Sequence, residues 1–398
     1  MVKNNPHYIR LLLILLLVPF SLTGCWSSKE IEQLSFISGV ALDKGRELPA
    51  EEETYRKEGR YVKRNLIKAT YQIISPLEKN SGGGQGKSYI NISETGDSLH
   101  QIIREIALKK EKPLFSAHFK SIVISDSLVR TYSLRDLLDH FLRDEELRLS
   151  CIVLISKGKA SASLESKEKG EIPAIRLNEI LDNRYKTTRI LSPVSLATLE
   201  GKIHSGTSFL LQNVYSVNGE VKLAGAAVIK GKSKKLCGFL NEEDLDGIAW
   251  IKGMSNGSVV KIFDKKTGRP IIYEVKSIKS NITPHVKQNK IFFDVKIESE
   301  GSLTENWLGL KKGSKNQLIK KIEKAVEQEI KRLMCHAIEK MQKKYQVDVA
   351  GFGNLLRIEH PEVWEQVKKD WDRTFSTIPI KYHVSATIQD YGASDFKQ

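Results

Sequence analysis

The chain is expected to fold as a multi-domain α+β protein of three units, with mixed and antiparallel β-sheets flanked by helices and one long amphipathic helix in the C-terminal unit. Three observations predict this. Short apolar runs bounded by turn residues alternate with helical periodicity up to about residue 200. From Val259 onward, strand patterns with period-two alternation dominate. Residues 315–345 carry a sustained apolar stripe at helical spacing.

The N-terminus reads as a leader rather than as part of the fold. Lys3 and Arg10 make a positive start, Leu11 to Val18 is an unbroken apolar run, and Pro19 ends it. About 20 apolar residues are needed to span a bilayer, so this run suits a secretory signal better than a membrane helix. Leu22-Thr23-Gly24-Cys25 follows, with small residues ahead of the cysteine, and resembles the lipobox of bacterial lipoproteins. That resemblance implies a signal peptide over 1–24, a diacylglycerol on the Cys25 sulfur and N-acylation (palmitate being one such chain) of the new terminus. Each buried CH₂ is worth about 0.8 kcal/mol, so two or three acyl chains hold a folded body on a membrane durably. No other cofactor is expected.

The elements then follow in order. Ser27 or Ser28 can cap a short helix, with Glu30 or Glu32 in its first turn. "SFISGVALD" reads as a strand, 44–60 as a charged loop, "YVKRNLIKATYQIISP" as a long strand, and Tyr89 to Ser93 as its neighbour. Asp97 can cap a helix carrying Leu99, Ile102, Ile103 and Ile106 on one face, and "FKSIVIS" is a strand. Ser133 opens a helix whose Leu134, Leu137, Leu138 and Phe141 share a face. "LRLSCIVLIS" has the continuous apolar run of a strand buried on both sides. Helical patterns at 174–185 and 194–203 complete an α/β unit over 25–200.

A hairpin follows, Phe209 to Val217 and Val221 to Lys230, joined by Asn218-Gly219, the type I′ pair that tolerates positive φ. With the capped helix of "LNEEDLDGIAW" it makes a small middle unit over 201–255. The C-terminal unit, 256–398, has turn signals at Lys266-Thr267-Gly268 and Gln288-Asn289. Its helix over 315–345 would run about 45 Å, with Leu318, Ile322, Val326, Ile330, Leu333 and Met341 in the stripe. The last strand alternates Ile378, Ile380, Tyr382, Val384, Ala386 and Ile388 against polar residues.

Charge and motifs narrow the function. Loss of Lys3 and Arg10 with the leader lowers the formal charge of +15 to +13. The lysines are spread among acids, so attraction to anionic headgroups accounts for this charge better than nucleic acid does, and no nucleic-acid partner is expected. Cys151, Cys237 and Cys335 have no close pairing and read as idle thiols. "SGGGQGKS" (81–88) has Ser81 where a phosphate-binding loop needs glycine, and it leads into a strand pattern rather than a helix. Asp136 and His140 lie one helical turn apart, but two ligands do not make a metal site; a solvated helix face is the better reading. Glu242, Glu243 and Asp244 fall in a first helical turn, where carboxylates favour the macrodipole without catalysis. Catalytic, cofactor-binding and metal residues are therefore expected to be none, leaving Cys25 as the single site residue.

"GCWSSKEIEQLSFISGVALDKG" resembles the opening of the Ger(x)C family, the lipoprotein subunits of spore germinant receptors, with Ser27 where the family usually has an acid. Similar agreement runs through "LFSAHFKSIVIS", "LLDHFLRDEELRLSCIVLISKGKA" and "KLCGFLNEEDLDGIAWIKG". The block from Asp348 to Gly392, with Gly351-Phe352-Gly353, His360-Pro361, Trp364 and Asp370-Trp371, is the most characteristic. The resemblance implies a non-enzymatic subunit on the outer face of the spore inner membrane. Its partners would be membrane lipid through Cys25 and two polytopic receptor subunits, an A-type and a permease-like B-type. Two other classes stay open: a lipid-anchored solute-binding protein, which needs a cleft between lobes, and a surface hydrolase, which needs an assembled triad or metal. Trp364 and Trp371 read as packing residues rather than contacts.

Overall fold

The computed structural model describes residues 33–46, 66–75, 87–254, 257–288, 290–306 and 315–390, with Glu30 and Lys57 besides. Cys25, the 81–86 stretch, the cap at Ser27–Ser28 and most of the 44–60 loop lie outside them.

Two sheets organise the chain. The first runs β3(Tyr89–Gly96)-β2(Ile67–Ile74)-β1(Ser35–Lys44)-β5(Ser121–Ser125)-β6(Ile152–Ser156)-β7(Phe209–Val217)-β8(Glu220–Ile229)-β9(Leu236–Leu240), with the two-residue β4(Leu114–Phe115) beside β1. Strands β1, β5, β6 and β7 are parallel at its centre, and the flanking strands are antiparallel. Every residue of β5 and of β6 is buried, as the apolar run in the sequence predicts.

Alternation divides these strands between two cores. Ile122, Ile124, Val153 and Ile155 join the apolar faces of helices α1(Leu99–Ala107), α2(Asp126–Thr131), α3(Leu134–Arg143) and α5(Leu196–Ser205). Val123, Ile152 and Leu154 pack against α4(Pro173–Leu181) on the other side. Ser133 caps α3 as expected. Helix α1, by contrast, is capped by Ser98, whose side chain accepts from the Gln101 backbone N–H, and Asp97 stands one residue too early. The Asn218-Gly219 turn has φ values of 53° and 78°, as a type I′ hairpin requires. Its strands form no sheet of their own. Ile155 of β6 is in register with Asn213 of β7, so the hairpin extends the first sheet.

The second sheet has the order β10(Val259–Phe263)-β11(Pro270–Lys287)-β12(Lys290–Asn306)-β13(Ile380–Asp390). β10, β11 and β12 are antiparallel, whereas β13 returns parallel to β12. Phe293, Val295 and Ile297 are wholly buried under the long helix α7(Lys315–Glu339), whose stripe holds Ile322, Val326, Ile330 and Met334. The helix widens into a π-helical turn over Lys340–Tyr345. β13 is an edge strand, and α7 guards it: Glu323 accepts the Ile388 backbone N–H at 2.9 Å and Glu327 that of Ala386 at 3.2 Å.

Candidate functional site at the seam between the sheets

Helix α6(Glu242–Lys252) bridges the two sheets. Asn241 and Asp244 form a reciprocal capping box at its start. Of the three first-turn acids, Glu242 pairs with Lys222 of β8 at 2.7 Å, and Glu243 pairs with Arg332 of α7, which holds its carboxyl below the usual range. Asp244 is wholly buried and bonds Lys340 at 2.7 Å. The expectation that these acids serve the helix end holds, and the fold also uses them as pins to β8 of the first sheet and to the long helix that covers the second.

The long helix ends against the first sheet. Tyr345 donates its hydroxyl to the Phe239 carbonyl of β9 at 2.7 Å. A Cβ at Gly238 would come within 2.2 Å of the Tyr345 ring, so only glycine admits this contact.

The characteristic C-terminal block forms a hub on Asp348. One carboxylate oxygen accepts the backbone N–H groups of Ala350 (3.1 Å) and Gly351 (2.8 Å); the other accepts those of Gly353 (2.6 Å) and the Trp371 indole (2.9 Å). Gly351 opens helix α8(Phe352–Glu359) at φ 99°, and a Cβ at Gly353 would meet the Trp371 indole nitrogen at 2.5 Å. Phe352 is wholly buried between Phe293 and Phe375, at centroid distances of 5.0 and 5.2 Å. Helix α9(Pro361–Val367) and the short α10(Trp371–Phe375) close the unit. Asp372 of α10 accepts the Asp348 backbone N–H at 3.0 Å and the Ser208 hydroxyl at 2.6 Å, and Ser208 in turn accepts the Gly231 N–H at 2.9 Å. This chain of bonds ties the C-terminal helices to the root of β7. Burial raises the Asp372 carboxyl, against the pull of those two donors.

Between these parts lies a cavity of about 1520 Å³. Lys230, Lys232, Lys234, Arg357, Lys368 and Lys369 are among its cations, whereas Asp348 and Asp372 are committed to the hub. Among the described residues its wall carries neither histidine nor cysteine. Glu359 and Asp370 also line it, so what it offers a ligand is an excess of positive charge and the half-buried ring of Trp364, 5.4 Å from that of Trp371. Trp371 is buried as expected, whereas Trp364 is only half-buried, and both line the cavity.

The remaining candidates separate. Asp136 turns to its own helix start, accepting the Ser133 hydroxyl at 2.6 Å, and does not converge on His140. His140 is not on a solvated face: it is half-buried against Phe141 and His100, and burial lowers its pKa. Burial pushes the thiol of Cys151 up to about 12 and that of Cys237 up to about 11, and raises Cys335; all three are free. Among the described residues no three His, Cys, Asp or Glu side chains gather as a metal site, and no helix is long and apolar enough to cross a membrane.

Residues 27–214 match the family described as spore germination protein N-terminal domain, and residues 224–392 match spore germination B3/GerAC like, C-terminal. The chain is 46% identical to spore germination protein YndF of Bacillus subtilis (strain 168) over 96% of each, and 31% identical to spore germination protein A3 of the same organism over 93% of this chain and 95% of that one. The crystal structure of the GerBC protein superposes with a TM-score of 0.60 at 27% identity, covering 90% of this chain and all of that one. The chain belongs to the GerAC-like spore germination protein family. The two family regions meet within the β7–β8 hairpin, whose strands are bonded into one sheet.

Proposed function

We propose that this chain is a lipid-anchored, non-enzymatic subunit of a spore nutrient-germinant receptor, tethered through Cys25 on the outer face of the spore inner membrane. The folded body docks on two polytopic receptor subunits and stabilises or couples the complex. The observation that carries this reading is agreement with a spore germination protein along 96% of the chain, together with the lipobox-like Leu22-Thr23-Gly24-Cys25 near its start. Two features support it. The charge of the body after removal of the leader favours a surface rich in anionic headgroups. The basic cavity at the seam offers charge for docking rather than groups for covalent chemistry.

Co-purification from spores tests the proposal. A C-terminally tagged chain, solubilised from inner membranes in mild detergent, is expected to bring down two multi-span proteins. Cys25→Ala is expected to lose membrane retention. A wild-type chain that elutes alone would overturn docking, and an unchanged Cys25→Ala distribution would overturn the tether.

A further inference from the structure

A second cavity, of about 700 Å³, lies far from the seam, between β2 and the helices α1 and α3. That size suits a small organic ligand. Two polar atoms in its lining are buried without a hydrogen-bond partner, the Tyr71 hydroxyl and the His140 Nε2. Tyr71 is only 1% exposed. A buried polar atom left unpaired forfeits its hydration with nothing in return, so an unpaired couple in one cavity points to a missing partner. Asp144 lines the same cavity; its two carboxylate oxygens accept the Ser116 hydroxyl at 3.2 Å and the Glu146 backbone N–H at 3.0 Å, and each has a further lone pair to offer, while its negative charge favours protonation of His140. Burial outweighs it at His140 and keeps the imidazole toward its neutral form, in which a ring nitrogen can accept.

The electrostatics of the mouth give the sign of the partner. Asp97, Asp136, Asp139, Asp144, Glu145 and Glu146 face only Arg104 and Arg143. This acidic mouth stands out on a chain whose net charge is +15. Below it the lining is apolar, with Leu99, Ile103, Phe119 and Leu147. A primary ammonium has three N–H donors and a compact charge. We propose that this cavity binds a small soluble primary amine, whose ammonium donates to Asp144, the Tyr71 oxygen and His140 Nε2 while its short alkyl portion rests on the apolar lining. The proposal does not depend on the receptor role or on the tether.

Calorimetric titration of the full mature chain in detergent tests this, with n-butylammonium as the probe and tetramethylammonium and butyrate as controls. Butylammonium is expected to bind, and the two controls, which lack N–H donors or the positive charge, are expected not to. Tyr71→Phe removes only the unpaired hydroxyl. It is expected to weaken butylammonium binding at least about tenfold without lowering the melting temperature. His140→Leu is expected to act in the same direction. Absence of butylammonium binding, equal binding by Tyr71→Phe, or equal binding of tetramethylammonium would each overturn the proposal; the last would mean that the mouth senses charge without a three-acceptor cage.

Discussion

The Asp244 carboxylate, wholly buried at the start of α6, lies 2.7 Å from the Lys340 ammonium at the end of the long helix. The lysine side chain is itself only 22% exposed. Desolvation makes such a pair a poor source of net stability but a strong lock on relative position. Asp244→Ala strands the lysine and the Asn241 N–H. It is expected to lower unfolding free energy by about 3–5 kcal/mol in urea titrations. The double change Asp244→Leu with Lys340→Met is expected to recover most of that loss.

The same two helices touch most closely at Gly247. A Cβ there would lie 2.3 Å from the Leu333 carbonyl oxygen and 2.8 Å from the Ala337 Cβ, and a backbone oxygen cannot turn aside. Gly247→Ala is therefore expected to destabilise by at least about 1–3 kcal/mol. Gly201, exposed within α5 with nothing near its Cβ position, is the internal contrast. Gly201→Ala is expected to stabilise by about 0.5–1 kcal/mol. Thermal melts of the two variants should move in opposite directions.

Asp372 gives the seam a pH signature. Burial raises its folded-state pKa above the unfolded value near 3.9. The folded chain therefore holds this proton more tightly than the unfolded chain. This group's contribution favours folding most at low pH and declines as pH rises from about 4 through the folded pKa, then stays level. Asp372→Asn keeps an acceptor for the Ser208 hydroxyl but does not titrate. Wild-type stability minus that of Asp372→Asn is expected to fall with rising pH across that window. A difference that grows with pH would contradict the assignment.

The edge of the second sheet predicts behaviour at high concentration. Glu323 and Glu327 occupy two N–H groups of β13 that would otherwise face outward. Glu323→Ala with Glu327→Ala exposes them to pairing with another chain. The double variant is expected to show concentration-dependent self-association by light scattering, with little change in far-UV circular dichroism.

Local signals in the sequence read well where one short segment decides the outcome. The apolar run of β6, the stripe of α7 and the Asn218-Gly219 turn each carry their own instruction. What joins distant segments was not legible. Lys340 stands 96 residues from Asp244, and nothing near either names the other. Asp136 and His140 have the spacing of a pair, yet a three-residue reach back to Ser133 wins the carboxylate. Tyr71 sits in a strand pattern as an ordinary core aromatic; only its surroundings reveal a hydroxyl without a partner. Asp97 and Ser98 are both good caps, and one residue of register decided between them. Asp348 gave no signal as a hub, because its four donors come from backbone groups and an indole.

The parallel return of β13 onto β12 sets an order of events during synthesis. β12 is made long before its partner, and Phe293 must wait for Ile380. Closing so long a loop is slow, and parallel pairing across it cannot begin until the final residues emerge. Until then one side of a 17-residue strand is bare. An N-terminal fragment ending before residue 380 would leave that strand without its neighbour, so the last stretch of the chain acts as the completion step for half of the molecule.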